Sequence, residues 1–204
     1  MSFKKNKYKV LKKVLDKNFC KFLFDYFLNR RYLTHVLMHH RYINPEEKLF
    51  GSFGDTQVPK TFCIYSDIVF ETLLQHMKPI MEKETGLKLH PNYSYGRIYK
   101  KGDVLKRHKD RMACDISTTL NLGGQNWPIY LEPTGKEGKK GVKIDLNPGD
   151  MLIYKGCDLE HWREPFKGTD CAQVFLHYNK KTKNAVIFDD RPMLGLPAFF
   201  KGKK

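Results

Sequence analysis

No uninterrupted apolar run in the 204 residues approaches the ~20 that a membrane-spanning helix requires, so a helical membrane protein is not expected. A secretory leader is not expected either, because Lys4, Lys5, Lys7, Lys9, Lys12 and Lys13 interrupt the first segment. Cysteine is scarce and irregular: five residues, an odd number, with no Cys-x-x-Cys pair, which argues against a disulfide framework and for reduced thiols. Internal repeats and long low-complexity segments are also lacking. These absences predict a cytoplasmic chain without membrane contact, forming one domain over residues 1–204 with a core large enough to need no staples.

Acidic residues are few as well, 22 against 37 Lys and Arg, for a net charge of +15. The excess is concentrated at the ends. Residues 1–21 carry eight lysines against Asp16, and 180–204 carry six lysines and Arg191 against Asp189 and Asp190. Solvated basic termini predict weak, salt-sensitive attraction to polyanions without specifying what enters a pocket.

Two stretches of the N-terminal part have helical periodicity. Asp16 to about Met38 repeats Phe19, Phe22, Leu23, Tyr26 and Phe27, and Ser66–Glu84, before Gly86, repeats Leu73, Leu74, Met77 and Ile80. Between them, Asn44–Lys60 is rich in Gly, Pro and charge and reads as a loop bordering a functional site. From Tyr93 onward the pattern changes to short β-rich runs with regular turn signals: 93–103, 116–122, 127–131, 141–144, 151–154, a strand around His161, and 171–178. Residues 1–90 are therefore expected to form helical support and a loop, 91–179 a double-stranded β-helix (jelly roll, cupin-like) core, and 180–204 a basic tail. The fold class is mainly β with flanking α-helices.

Within that core, His108-Lys109-Asp110 places an imidazole and a carboxylate two positions apart, on one face of an extended strand. His-x-Asp is a common tripeptide and proves little alone. His161, 51 positions beyond Asp110 and just after a turn-like segment, completes two histidines and one carboxylate. Such a set leaves part of a metal's coordination sphere open, as a reactive centre requires. Cys114 and Cys157 lie near these residues in sequence but are read as small buried thiols.

The order His-x-Asp, Gly123-Gly124, Pro148-Gly149-Asp150 and distal His161 resembles the 2-oxoglutarate- and Fe(II)-dependent dioxygenases, prolyl 4-hydroxylase branch, over Tyr93–Tyr178. The resemblance implies that His108, Asp110 and His161 are catalytic metal ligands and that Tyr99 lines the co-substrate pocket. It also implies Fe(II), 2-oxoglutarate and O2, with ascorbate as reductant, and hydroxylation of a C–H bond with release of succinate and CO2. Retention of Asp110 favours hydroxylation over halogenation. The sequence departs from the pattern where a base should hold the distal carboxylate of 2-oxoglutarate, because Asp170 and Cys171 stand nine and ten residues after His161. Arg163, two residues after His161 and on the same strand face, is the substitute expected here, with the Thr119 hydroxyl beside it and Asp170 orienting it. Arg97, Lys167 and His177 are the fallback cations.

A peptidyl proline or another protein side chain is the favoured target. A nucleobase, stacked by Trp127, Tyr130 or Trp162, is an alternative, as is a free amino acid or other small metabolite. A non-catalytic cupin-like binding module is the alternative from a different class.

Overall fold

The computed structural model describes residues 2–202. A short helix α1 (Phe3–Asn6) and strand β1 (Tyr8–Leu11) precede the long helix α2 (Lys17–His39). Strands β2 (Ser52–Gly54) and β3 (Pro59–Tyr65) lead to α3 (Ile68–Thr85). The remainder is β4 (Leu89–Lys100), β5 (Leu105–His108), β6 (Ile116–Gly124), β7 (Ile129–Leu131), β8 (Val142–Ile144), β9 (Met151–Lys155), β10 (His161–Arg163) and β11 (Asp170–Lys180).

The two long helices are bounded by side-chain chemistry. Asp16 accepts the Asn18 and Phe19 amides at 2.9 and 3.0 Å, and Asp67 accepts Val69 N–H at 3.0 Å, so each carboxylate satisfies donors that a first helical turn leaves open. At the far end of α3, Gly86 takes φ 72°, a left-handed stop that suits a residue without Cβ.

All strand pairs are antiparallel and form two sheets: β1-β9-β6-β11-β4-β3-β2 and β5-β10-β7-β8. This is the expected double-stranded β-helix. The larger sheet is covered by α2 and α3, whose Leu23, Phe27, Phe70, Leu74 and Met77 are buried in the main core with Leu120, Met151 and Val174 of the sheet. Gly96 in β4 lets the rings of Phe27 and Phe70 approach the sheet, since a Cβ there would collide with both.

Two expectations need correction. Residues 1–90 are more than helical support, because β1, β2 and β3 extend the larger sheet at both edges; β3 begins inside the stretch read as a loop. The charged ends are folded against the body: Lys7 pairs with Asp158 at 3.1 Å, Lys9 with Glu84, and Lys12 with Asp150 at 2.9 Å. At the other end Arg191 is buried and meets Glu71 at 2.9 Å, with both side chains fully enclosed. Glu71 also accepts Ser94 N–H at 3.1 Å, and Arg191 donates to the Asn92 carbonyl at 3.0 Å. Removing one partner would leave the other charge buried without compensation. Glu71→Ala is therefore expected to destabilise the fold by about 3–5 kcal/mol, read as a lower midpoint in urea unfolding.

Candidate active site

β5 ends on His108 and β10 begins on His161, and the two residues face each other in the β5–β10 register, with ring centroids 4.2 Å apart. Asp110 lies just beyond β5, fixed by its own N–H to the Gly156 carbonyl at 2.9 Å. His161 Nε2 is 3.4 Å and His108 Nε2 3.8 Å from Asp110 Oδ1. One ligand atom from each residue can be chosen so that all three lie within 4.8 Å of one another.

Backbone geometry sets the imidazole tautomers. His108 Nδ1 donates to the Lys106 carbonyl at 2.7 Å and His161 Nδ1 to the Leu159 carbonyl at 3.1 Å, each two residues back. With Nδ1 so engaged, Nε2 is the ring atom that each histidine keeps on the Asp110 side, and it is the atom available to a metal. Gln57 Nε2–H donates to His108 Nε2 at 2.8 Å, and the Tyr154 hydroxyl lies 3.4 Å from His161 Nε2. An incoming cation would displace both contacts.

Asp110 has its own supports. Ser117 Oγ–H donates to Oδ2 at 2.6 Å and lies 3.0 Å from His177 Nδ1, whose N–H completes the chain. Gly156 is required here, because a Cβ would strike Asp110 and Ser117. Burial alone would raise the Asp110 pKa, but His161, His177 and the Ser117 hydroxyl outweigh it and hold the carboxyl well below its usual range. Burial, reinforced by His161, lowers the His108 pKa and keeps that imidazole neutral. Anionic carboxylate and neutral imidazole are the forms that bind a divalent cation.

Burial also takes His177 down to about 4. An unfolded histidine protonates near 6.5, so acid favours the unfolded chain between those two values and stability should fall by about 3 kcal/mol from pH 6.5 to 4 on this account alone. Urea midpoints measured across that range should decline less steeply in His177→Gln.

A cavity of about 390 Å³ opens over the triad, lined among others by Tyr99, Tyr154 and Phe175 inside and by Asp55, Gln57 and Arg111 at the mouth. The stretch between α2 and β3 thus borders the site as expected. Arg97 reaches this cavity but is already neutralised by Asp55, whose second contact is the Tyr95 hydroxyl at 2.6 Å. Burial opposes ionisation of Asp55, yet Arg97 and these hydrogen bonds bring its pKa below the usual value.

Arg163 lies inside the barrel with 1% exposure. It donates to the Trp127 carbonyl and to Thr119 Oγ1, the latter at 3.4 Å, and its guanidinium stands 5.1 Å from the Trp127 ring centre. Thr119 in turn donates to Gln173 Oε1 at 3.1 Å. No carboxylate pairs with Arg163 among the described residues, and its Nε–H has no partner. The expectation that Asp170 orients it is wrong: Asp170 sits opposite Lys100 on β4 and binds Arg31 of α2 at 2.5 Å. Arg163 does not line the triad cavity; its Nε–H is the guanidinium donor left open, while its other groups meet the Trp127 carbonyl and Thr119.

The other fallback cations fare poorly. Lys167 is exposed and lines a separate groove, and His177 is held neutral. The aromatic residues considered for base stacking lie outside the cavity. Trp127 is core, between Tyr99 and Phe166, while Tyr130 stacks on Trp162 at 5.5 Å beneath Arg107. Burial raises the thiols of Cys114 and Cys157 to about 12 and about 11, so both stay protonated.

No protein-family model and no curated protein matches the sequence. Solved structures do. A prolyl-4-hydroxylase from Pseudomonas putida aligns with TM-score 0.61 and 14% identity over 88% of this chain and 96% of its own. HygX from Streptomyces hygroscopicus, solved with nickel and 2-oxoglutarate, gives 0.63 and 13% over 90% and 86%. The non-haem α-ketoglutarate-dependent epimerase SnoN of nogalamycin biosynthesis gives 0.64 and 14% over 98% and 90%. Among the described residues no helix is long and apolar enough to cross a membrane. By its fold, the chain is a double-stranded β-helix of the kind shared by the non-haem 2-oxoglutarate-dependent oxygenases.

Proposed function

We propose that the chain is an Fe(II)- and 2-oxoglutarate-dependent hydroxylase acting on a peptidyl proline or another protein side chain. The observation that carries this reading is the pairing of an open His108–Asp110–His161 donor set with Arg163, a buried cation that lacks any counter-charge. A guanidinium enclosed without an anion is costly, and the distal carboxylate of 2-oxoglutarate is an anion of the right geometry to compensate it. Two imidazoles and one carboxylate fit Fe(II) and leave coordination positions for a bidentate co-substrate and for dioxygen. When bound, the iron supplies dioxygen activation coupled to oxidative decarboxylation of 2-oxoglutarate, with ascorbate as reductant.

The protein's part is positioning and exclusion of water. Arg163 with Thr119 beside it would hold the anion, Tyr99 and Phe175 wall the inner cavity, and Ser117 with His177 fixes the orientation of Asp110. A target side chain enters past Gln57 and Arg111 at the mouth. The cavity's open mouth suits a side chain presented on a longer chain, and the structural neighbour from Pseudomonas putida is a prolyl-4-hydroxylase. The test is succinate formation with Fe(II), ascorbate and 2-oxoglutarate, measured alone and with panels of peptides, oligonucleotides and amino acids. Stimulation by peptides supports the proposal, whereas stimulation by oligonucleotides or amino acids alone replaces its substrate class.

A further inference from the structure

We propose that a lysine-walled groove beside the triad docks an acidic, Asp/Glu-rich segment of the protein substrate; this rests on reading the chain as a protein-modifying oxygenase. The groove, about 790 Å³, runs between residues 56–60 and residues 100–106, which comprise the end of β4, the connecting turn and the start of β5. It shares Thr56, Gln57 and His108 with the triad cavity, so a chain lying in it leads to the metal site.

Four lysines line it, Lys60, Lys100, Lys101 and Lys106, against a single carboxylate, Asp103. Asp103 is buried and already committed: it accepts Lys100 Nζ at 2.8 Å, Thr61 Oγ1 at 2.7 Å and Lys100 N–H at 2.9 Å. Lys60, Lys101 and Lys106 are exposed and form no ion pair among the described residues. Neighbouring cations on and after β5 behave differently, since Arg107 and Lys109 each meet a glutamate, Glu160 and Glu137, at 2.9 Å. Uncompensated charge is thus concentrated in the groove and not spread along the strand.

The walls contain no Phe, Tyr or Trp and no arginine, and the one ring that borders the groove is the His108 imidazole at its junction with the triad cavity. A single-stranded nucleic acid would need stacking surfaces, and planar phosphate recognition favours guanidinium forks. Isolated ammonium groups on an extended track suit carboxylates spaced along a peptide. β5 is also the outer strand of the four-stranded sheet, with β10 on one side and, among the described residues, no strand on the other, so an extended peptide can add to its edge while its acidic side chains reach the lysines.

The test is fluorescence anisotropy with fluorescein-labelled decaglutamate and with an oligothymidylate of equal charge, at low and physiological salt, without metal or co-substrate. The triple variant Lys60→Glu/Lys101→Glu/Lys106→Glu is compared with Lys180→Glu/Lys181→Glu/Lys183→Glu, which makes the same change in net charge on exposed lysines elsewhere. The groove variant should bind decaglutamate at least about tenfold more weakly than the control variant. Equal binding by the two variants overturns the proposal and leaves these lysines as charges that blunt a sheet edge. Oligothymidylate bound more tightly than decaglutamate, and lost only in the groove variant, overturns it in favour of nucleic acid. Groove-specific peptide binding in a chain that forms no succinate from 2-oxoglutarate would instead identify the oxygenase reading as the failed premise.

Discussion

His161→Ala is expected to bind a divalent metal at least about a hundredfold more weakly than the parent chain and to show no measurable turnover. The lower bound follows from the 10–100-fold cost of losing even an outer partner of a metal site, and His161 supplies one of only three protein donors. Anaerobic calorimetry with Fe(II), or with Mn(II) as an air-stable substitute, reads the affinity directly. Ser117→Ala removes the hydrogen bond to Asp110 Oδ2, and with it the link to His177, but leaves all three metal donors in place, so its loss should be about tenfold and should leave the stoichiometry at one. Parent-like metal affinity in His161→Ala would remove the triad from the mechanism, however well its geometry suits a metal.

Arg163→Leu is expected to raise the 2-oxoglutarate requirement at least tenfold while metal binding persists. A charge-assisted contact in a desolvated site is worth about 2–5 kcal/mol, and about 1.4 kcal/mol corresponds to each decade. The variant should fold, because replacing a buried charge that has no anionic partner with an apolar side chain relieves a desolvation cost that offsets the lost hydrogen bonds to the Trp127 carbonyl and Thr119. Arg97→Leu is the informative contrast: Arg97 is neutralised by Asp55, so its loss should disturb the mouth and the target's KM more than the co-substrate's. Asp170→Ala should leave 2-oxoglutarate binding unchanged, because Asp170 engages Arg31. If Arg97→Leu produced the co-substrate defect and Arg163→Leu did not, the two arginines would exchange roles.

Local signals carried most of the fold. Asp16 and Gly86 bounded α2 and α3 because caps and left-handed stops act within one turn, and alternation from Tyr93 onward found the strands because a half-buried strand has period two. The clustering of His108, Asp110 and His161 was legible because His-x-Asp is local and the turn before His161 marks the next strand, although β5 ends at His108 and Asp110 reaches the site from beyond the strand and not by strand alternation. What was missed depends on distant pairing. β1 joins the sheet by pairing with β9, and Gln57 meets His108 across 51 residues, contacts that no local period encodes. Asp170 was misjudged through strand parity: Cys171 and Gln173 point inward on β11, which leaves Asp170 facing α2. The ends, read as tails from their charge, are anchored by the few carboxylates that this basic chain retains, Glu71, Glu84, Asp150 and Asp158.

Oxidation of 2-oxoglutarate is read most directly by quantifying succinate and CO2 from the purified chain under air with Fe(II) and ascorbate, beside Asp110→Ala. The two products should appear in equal amounts, require iron and be absent in the variant, even before the target is known, because slow uncoupled turnover needs only the triad and the co-substrate site. Tight iron binding by the parent chain, with no binding of 2-oxoglutarate and no succinate above the Asp110→Ala background, would contradict the assignment and leave a metal-binding module on an oxygenase fold.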